Sequence, residues 1–372
     1  MDIVFRTDSS LIIGTGHVMR CLNLAQALRS YGAHCRFICR EHEGNLFDVI
    51  HQHGFEVQAL PMKITSQKKI LQQDEVGENA LSHAEWLGAT WESDAQQTLD
   101  AIGEIKIDWL IVDHYALDIN WENMMSPLSC HLMVIDDLAD RLHNCDLLLD
   151  QNFEENCRYE SLVPSKCLLL TGPKYALLRN EYKIVRLKKR DNIVKRIFVF
   201  FGGVDKDDLA GITLSALSKA DLCDLWVDIV IGSNYAHIER LNKLSITRGK
   251  SEIHYQQPHL AYFMEKADLA IGAVGVTNWE RMCVGLPSIV ISVADNQVLI
   301  SKKLHELGAI NWIGSSNDAS CDVLYKEIKK EIDSEKFIQR REIASAMCDG
   351  EGIERVLSHI MSLDKDTVKI TR

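Results

Sequence analysis

Residues 2–20 read Asp2-Ile3-Val4-Phe5-Arg6-Thr7-Asp8-Ser9-Ser10-Leu11-Ile12-Ile13-Gly14-Thr15-Gly16-His17-Val18-Met19-Arg20. An apolar run of strand length passes into a polar turn holding two glycines, and the stretch His17–Ser30 then carries helical periodicity. Working outward, short apolar runs keep alternating with helical patterns, which marks parallel sheets covered by helices. In the first half, strands are predicted at Ile3–Arg6, Cys35–Cys39, Glu56–Leu60, Trp109–Val112, Met133–Ile135, Leu147–Leu149 and Leu168–Leu170, with a further helix over Glu43–His53.

The pattern restarts after the charged segment Leu187-Lys188-Lys189-Arg190-Asp191. Strands are then predicted at Ile197–Phe201, Asp228–Ile231, Ile253–Tyr255, Leu269–Ile271, Ser288–Ser292 and Asn311–Ile313, and Cys348–Leu363 reads as a helix. The expected fold class is α/β, two Rossmann-like doubly wound domains facing a cleft. The expected divisions are 1–188, 189–347 and a C-terminal helical segment, 348–372. Ligands of such sheets bind outside the carboxyl ends of the strands, so chemistry is sought in the loops that follow them.

Composition narrows the function. At 372 residues, 46% apolar and 25% charged, the chain fits two such domains with full cores. A net charge of −12 with no basic run argues against a nucleic-acid partner. The opening MDIVFRTDSS lacks a secretory pattern and no stretch reaches the roughly 20 apolar residues of a membrane span, so a soluble, cytoplasmic protein without membrane insertion is expected. Eleven scattered cysteines without C-x-x-C read as reduced core residues, and no zinc-ligand spacing or H-E-x-x-H appears, so no metal site is expected.

Four loops carry chemistry. In the first, Gly14 and Gly16 allow a tight turn and close approach to a ligand. Met19 occupies the third glycine position of G-x-G-x-x-G, and the loop is long, so a nicotinamide dinucleotide fingerprint is absent. His17 falls in the first helical turn, where the dipole disfavours imidazolium and keeps the ring neutral, as a general base requires. The alternative is a histidine that packs locally. Arg20, one turn on, either meets an anionic group or lies solvated on the helix face.

The second loop, Asp113-His114-Tyr115, ends an apolar strand with groups suited to reading sugar hydroxyls, or simply caps the next helix. Asp136-Asp137 repeats the arrangement, with Asp140-Arg141 able to pair locally. In the third, Gly202-Gly203-Val204-Asp205 makes a phosphate- or sugar-facing turn, or a plain strand-to-helix turn.

The fourth, Gly272-Ala273-Val274-Gly275-Val276-Thr277-Asn278-Trp279-Glu280-Arg281, ends a strand in small residues and opens a helix at Thr277. Its free amides would cradle a diphosphate without a lysine. Glu280 completes a Thr-x-x-Glu capping box with Thr277 and is also one turn from the phosphates, where a ribose diol would sit. Asp295-Asn296-Gln297 is another polar loop, its first residues being candidate N-caps. No G-x-S-x-G, Walker or kinase motif occurs.

Together these loops resemble the UDP-2,4-diacetamido-2,4,6-trideoxy-β-L-altropyranose hydrolases of pseudaminic acid biosynthesis. The match runs through Phe5–Ser10, Gly14–Arg20, Asp113–Tyr115, Ile135–Arg141, Asp146–Asn152 and Gly172–Arg179. It continues through Phe201–Asp205, Gly272–Arg281, Gly285–Pro287, Asn296-Gln297 and Cys348–Gly352. Met62–Ala101 carries no element of that family. A wider likeness reaches the glycosyltransferase that adds N-acetylglucosamine to lipid I.

The resemblance implies a glycosyltransferase-B-like fold and a UDP-sugar substrate, with no cofactor. UDP would be held mainly by the C-terminal domain, with Gly275, Val276 and Thr277 at the diphosphate, Glu280 at the ribose and Asn296 at the sugar or phosphate region. Arg6, Asp8, Gly14, Gly16, Arg20, Tyr115 and Gly203 complete the expected substrate contacts. His17 would deprotonate water for inverting attack on the anomeric carbon, without a metal. The alternatives are a UDP-sugar-dependent glycosyltransferase and a non-catalytic nucleotide-sugar binding protein. A monomer is expected.

Overall fold

The computed structural model describes residues 1–62, 81, 83–152, 156–186, 192–232, 234–334 and 336–370. The chain forms two compact units, Met1–Leu177 with Gly352–Arg372, and Leu178–Glu351.

The first unit is built on β1 (Asp2–Thr7), β2 (His34–Arg40), β3 (Glu56–Leu60), β4 (Ile107–Asp113), β5 (Ser129–Ile135), β6 (Leu147–Asp150) and β7 (Leu168–Thr171). All pair in parallel, in the order β3-β2-β1-β4-β5-β6-β7. The predicted strands of this half are all present, and their unbroken apolar runs have a direct cause. Both sheet faces are covered, so neither side of the pleat needs polar residues.

Alternate residues serve the two faces. Ile3, Phe5, Trp109 and Ile111 pack with α1 (Gly16–Ser30) and with Ile50 of α2 (Phe47–Gln52). Val4, Leu110 and Val112 pack with Ala95 of α3 (Trp91–Ile102) and with Trp121 and Met125 of α4 (Ile119–Met125). The helix predicted from residue 43 begins only at Phe47. Gly44 adopts φ +80° there, and a Cβ on it would lie 2.8 Å from the Leu11 side chain, so this stretch is a turn under the first loop.

The second unit contains α5 (Asn180–Arg186), then β8 (Arg196–Phe200), α6 (Leu209–Leu217), β9 (Trp226–Ile231), α7 (Ile238–Arg248), β10 (Ser251–Tyr255), α8 (Ala261–Lys266), β11 (Leu269–Ala273), α9 (Val276–Cys283), β12 (Ser288–Ser292), α10 (Val298–Glu306), β13 (Asn311–Ser315), α11 (Cys321–Ile332) and α12 (Lys336–Met347). Its parallel sheet has the order β10-β9-β8-β11-β12-β13, and β11 and β12 are buried along their whole length. The strands predicted for this half are likewise present.

The divisions fall elsewhere than expected. The segment 187–191, chosen as the boundary, lies outside the described residues, and α5 before it already belongs to the second unit. The C-terminal helix is α13 (Gly352–Ile370), separated from α12 by a turn in which Gly350 has φ +82°. α13 returns to the first unit because Ile353, Val356, Leu357 and Ile360 fill that unit's core beside α1. Among the described residues no helix is long and apolar enough to cross a membrane.

Each sheet reverses its strand order once, between β1 and β4 in the first unit and between β8 and β11 in the second. Such switch points open a crevice at the strands' carboxyl ends. The first loop with the second, and the third with the fourth, therefore flank the two crevices.

Candidate functional site

Beneath the first crevice lies a buried ionic network. Arg6 donates from Nη1 and Nη2 to Asp8 at 2.7 and 2.9 Å, and from Nε and Nη2 to Asp94 at 3.2 and 2.6 Å. Arg40 Nη2 also donates to Asp94, at 2.6 Å, and Trp121 Nε1 does so at 3.0 Å. Arg6, Asp8, Arg40 and Asp94 are all fully buried. Burial alone would raise the Asp8 carboxyl, but the Arg6 guanidinium holds it well below the usual carboxylate range. Asp8 accepts the Arg40 amide at 2.7 Å and faces His114 Nε2 at 3.2 Å. The network thus clamps the ends of β1 and β2 and the root of the first loop.

Above it, Ser10 Oγ accepts the amides of Ile12 and Ile13, and Gly14 turns at φ +81°. Only glycine adopts that conformation without strain. α1 then begins at Gly16, with Thr15 as an N-cap that makes no side-chain hydrogen bond.

His17 Nδ1 lies 2.5 Å from Asp113 Oδ1. Arg20 grips the same carboxylate from Nε at 2.6 Å and Nη2 at 2.7 Å. Burial works to raise the Asp113 carboxyl, but the Arg20 guanidinium outweighs it and keeps the group ionised. An ionised carboxylate at 2.5 Å requires the proton on Nδ1, so the 3.3 Å approach of Arg20 Nη2 to that nitrogen is not its main contact. With Nδ1 donating to Asp113, Nε2 is the remaining acceptor of a neutral ring.

Arg20 also donates to Asp137 at 3.2 Å, and the Tyr115 hydroxyl donates to the same carboxylate. The Tyr115 ring stands edge-on to His17 at 4.6 Å, and Trp86 stacks on Tyr115 at 5.6 Å. The candidate base therefore has an ionic side and an aromatic side.

In the second unit the two glycine loops behave differently. Asp205 accepts the amides of Leu209 and Ala210, both at 2.9 Å, and Asp208 accepts that of Gly211 at 3.2 Å. The first turn of α6 is thus occupied by the protein's own carboxylates. Gly203 has open space where a Cβ would stand, while its carbonyl packs against Gly232, where a Cβ would come within 2.0 Å. The α9 terminus is the opposite case. Gly275 is its N-cap, and no side chain caps it.

This overturns the expected capping box: the helix starts at Val276, so Thr277 lies inside the first turn and cannot cap it. Glu280 is buried beside the Tyr182 hydroxyl, and burial pushes its carboxyl up to about 7. Arg281 is fully buried beneath the turn, donating to the Ala273 carbonyl at 2.8 Å, with Nε and Nη1 unpartnered. Asn296 is exposed in the loop after β12, and neither it nor Asp295 caps α10.

The structure thus gathers His17, Arg20 and Tyr115 in the first unit and Gly275, Val276, Thr277 and Glu280 in the second. Arg6 and Asp8 lie under the first loop with their charges already engaged, and the anion that Arg20 meets is the protein's own. His114 is buried against Asp8, and Asp136 pairs with Arg141 at 2.8 Å, so neither is placed to read a hydroxyl directly.

Sequence reasoning missed three residues. Asp113 appears there as a sugar reader rather than the partner of His17, and Asp94 and Trp86 fall in the stretch without family elements. A Thr-x-x-x-Asp helix start at Thr90, ending in Asp94 and preceded by Trp86, was the available signal, and it was weak. Among the described residues, Asp228, Glu252 and His254 come close enough to share an ion. The Asp228 oxygens, however, are taken by Arg196 and His254.

No family model matches the chain. It is 26% identical over 285 residues, 75% of its length and 87% of the relative's, to the UDP-2,4-diacetamido-2,4,6-trideoxy-beta-L-altropyranose hydrolase of Campylobacter jejuni. It is also 26% identical over 206 residues, 54% of its length and 60% of the relative's, to the spore coat polysaccharide biosynthesis protein SpsG of Bacillus subtilis. Among solved structures, MurG of Acinetobacter baumannii superposes with a TM-score of 0.65 at 13% identity, covering 97% of this chain and 99% of that one. The UDP-GlcNAc 2-epimerase of Neisseria meningitidis, bound to UDP-GlcNAc, gives 0.62 at 12% identity, over 97% of this chain and 100% of that one. The chain is therefore an α/β protein of the glycosyltransferase-B fold that is similar in sequence to a UDP-sugar hydrolase.

Proposed function

We propose that this protein hydrolyses a UDP-sugar, UDP-2,4-diacetamido-2,4,6-trideoxy-β-L-altropyranose, to the free sugar and UDP in pseudaminic acid biosynthesis. The observation that carries the reading is the Asp113–His17 pair. A carboxylate locked by Arg20 holds the imidazole in the tautomer whose Nε2 accepts a proton. In the proposed step His17 Nε2 takes a proton from water as the water oxygen attacks the anomeric carbon, and the carbon–oxygen bond to UDP breaks on the opposite face. The product sugar is inverted. A positioned base contributes roughly 10²–10⁴ in rate.

The leaving diphosphate is assigned to the α9 terminus, because its helix dipole has no capping carboxylate while that of α6 has two. Charge building on UDP is stabilised there by preorganised amides, without a metal in this proposal. Glu280, whose buried carboxyl faces the Tyr182 hydroxyl, accepts from the ribose diol in this reading.

Hydrolysis in ¹⁸O-water is the direct test. Label in the sugar supports attack at carbon; label in UDP means attack at phosphorus and removes the mechanism. Transfer to a hydroxyl acceptor, which the fold also supports, would give no free sugar in water alone. A binding protein would retain UDP-sugar affinity without turnover.

A further inference from the structure

Beyond Tyr115, the aromatic side of His17 is completed by Trp86 and His83, from the stretch that resembles no family element. Trp86 sits in a short 3₁₀ turn, Ala84–Leu87, between β3 and α3. The turn is held at several points. Leu87 is buried in the core, and Gly88 follows in the left-handed region at φ +67°, where a Cβ would press on His42 at 2.9 Å and Met62 at 3.1 Å. Beyond it, Thr90 caps α3 by accepting the Ser93 amide, and Asp94 pins that helix to Arg6 and Arg40.

On this support the indole is half-buried. It stacks on Tyr115 with centroids 5.6 Å apart, packs on His83 at 4.4 Å, and meets His17 edge-on at 6.4 Å. His83 closes the group against Tyr115 at 5.5 Å. Tyr115 itself is buried, so Trp86 is the large aromatic of this group that keeps surface free beside the imidazole.

We propose that Trp86, backed by His83 and Tyr115, is a binding platform for the C–H face of the substrate's sugar ring. This rests on the reading that the substrate is a UDP-sugar attacked at the anomeric carbon. Aromatic faces favour apolar contact and edge-on C–H groups. A nucleobase would also stack on an indole, but uracil is separated from the anomeric carbon by a ribose and two phosphates. The platform touches the base that acts at that carbon, so its occupant is the sugar. A polar ring hydroxyl lying on the indole would lose its water without gaining a partner, so the platform favours a deoxygenated face. Trp86 is thus a specificity-determining residue absent from the sequence features shared with the hydrolases.

The test compares wild type, Trp86→Ala and Trp86→Phe in two measurements. Steady-state hydrolysis of UDP-2,4-diacetamido-2,4,6-trideoxy-β-L-altropyranose should show KM raised about tenfold in Trp86→Ala, with smaller loss in kcat and most of the effect restored in Trp86→Phe. UDP affinity by calorimetry should stay within about twofold in all three, and each variant should keep the first unit's thermal unfolding transition, which shows that the unit carrying Trp86 folds. Tryptophan fluorescence, wild type minus Trp86→Phe, should respond to the UDP-sugar but not to UDP.

An unchanged KM in Trp86→Ala, with turnover intact, overturns the platform and leaves the hydrolase reading standing. A Trp86 signal produced by UDP alone assigns the indole to the base and overturns it as well. If wild type binds the UDP-sugar without hydrolysing it, the hydrolase reading fails. The fluorescence difference then decides the platform: a response to the UDP-sugar but not UDP retains it, and no response overturns it.

Discussion

At the scale of single residues, the imidazole–carboxylate pair makes the sharpest demand. His17→Leu should lower kcat by roughly 10²–10⁴ while leaving UDP affinity unchanged, as read by UDP release and by calorimetry. Asp113→Asn should approach the same loss, because an amide no longer requires the proton on Nδ1 and the productive tautomer is no longer enforced. If both variants retained wild-type turnover, His17 would not be the base.

Glu280 gives a prediction in pH. Burial raises its folded carboxyl from 4.5 to about 7, so the folded state holds the proton more tightly than the unfolded chain does. The resulting stability is fully present below about pH 4.5 and is lost as pH rises through about 7. Glu280→Gln removes that loss. The variant should gain on wild type by on the order of 3 kcal/mol between pH 4 and pH 8 in urea unfolding. A ribose diol donating to the carboxylate would favour the ionised form. UDP affinity should therefore rise with pH through about 7 in wild type more than in Glu280→Gln.

At the scale of elements, α3 is the part whose importance only packing reveals. Asp94 is the shared acceptor of Arg6, Arg40 and Trp121, and none of the three can reach water. Asp94→Ala should cost about 3–5 kcal/mol, measured by denaturant unfolding, because it leaves buried guanidinium charge uncompensated. Asp94→Asn should cost less.

The two glycine loops of the second unit make a paired prediction at the same scale. Asp205→Ala should weaken α6 by about 0.5–2 kcal/mol through loss of two hydrogen bonds to its first-turn amides, with the N-cap Asp208 kept and little change in UDP affinity. Gly275→Asp should weaken UDP binding by tenfold or more, since it offers the α9 terminus the carboxylate it lacks. Equal UDP binding by wild type and Gly275→Asp would place the diphosphate elsewhere.

At the scale of the molecule, the chain's last helix stabilises the unit with which the chain begins. α13 contributes Ile353, Val356, Leu357 and Ile360 to the first core. Each such burial is worth roughly 1.5–3 kcal/mol, so together they rival the whole stability of a domain. A chain ending at residue 351 should lose the first unit's unfolding transition in calorimetry and keep the second's.

Strand identity, parallel sheets and the two-unit plan were legible without coordinates. A sheet covered on both faces forces unbroken apolar strands, and those runs stand in the chain for anyone to count. The glycine turns and His17 were legible for the same local reason, since a turn and a helix start are set by neighbours in sequence. What needed the tertiary structure was every pairing across the sheet. Asp113 is 96 residues from His17, and Asp94 is 88 from Arg6. Such charges reveal their partners only after β1, β4 and α3 have packed. The same holds for the capping box at Thr277, where the motif suits a cap but the backbone starts the helix one residue earlier. Sequence determined where the strands end, the loops turn and the helices start, because local propensity and burial pattern are written along the chain. Folding decided which side chains in those loops are engaged by the protein and which are left for a ligand, because that depends on contacts made through space.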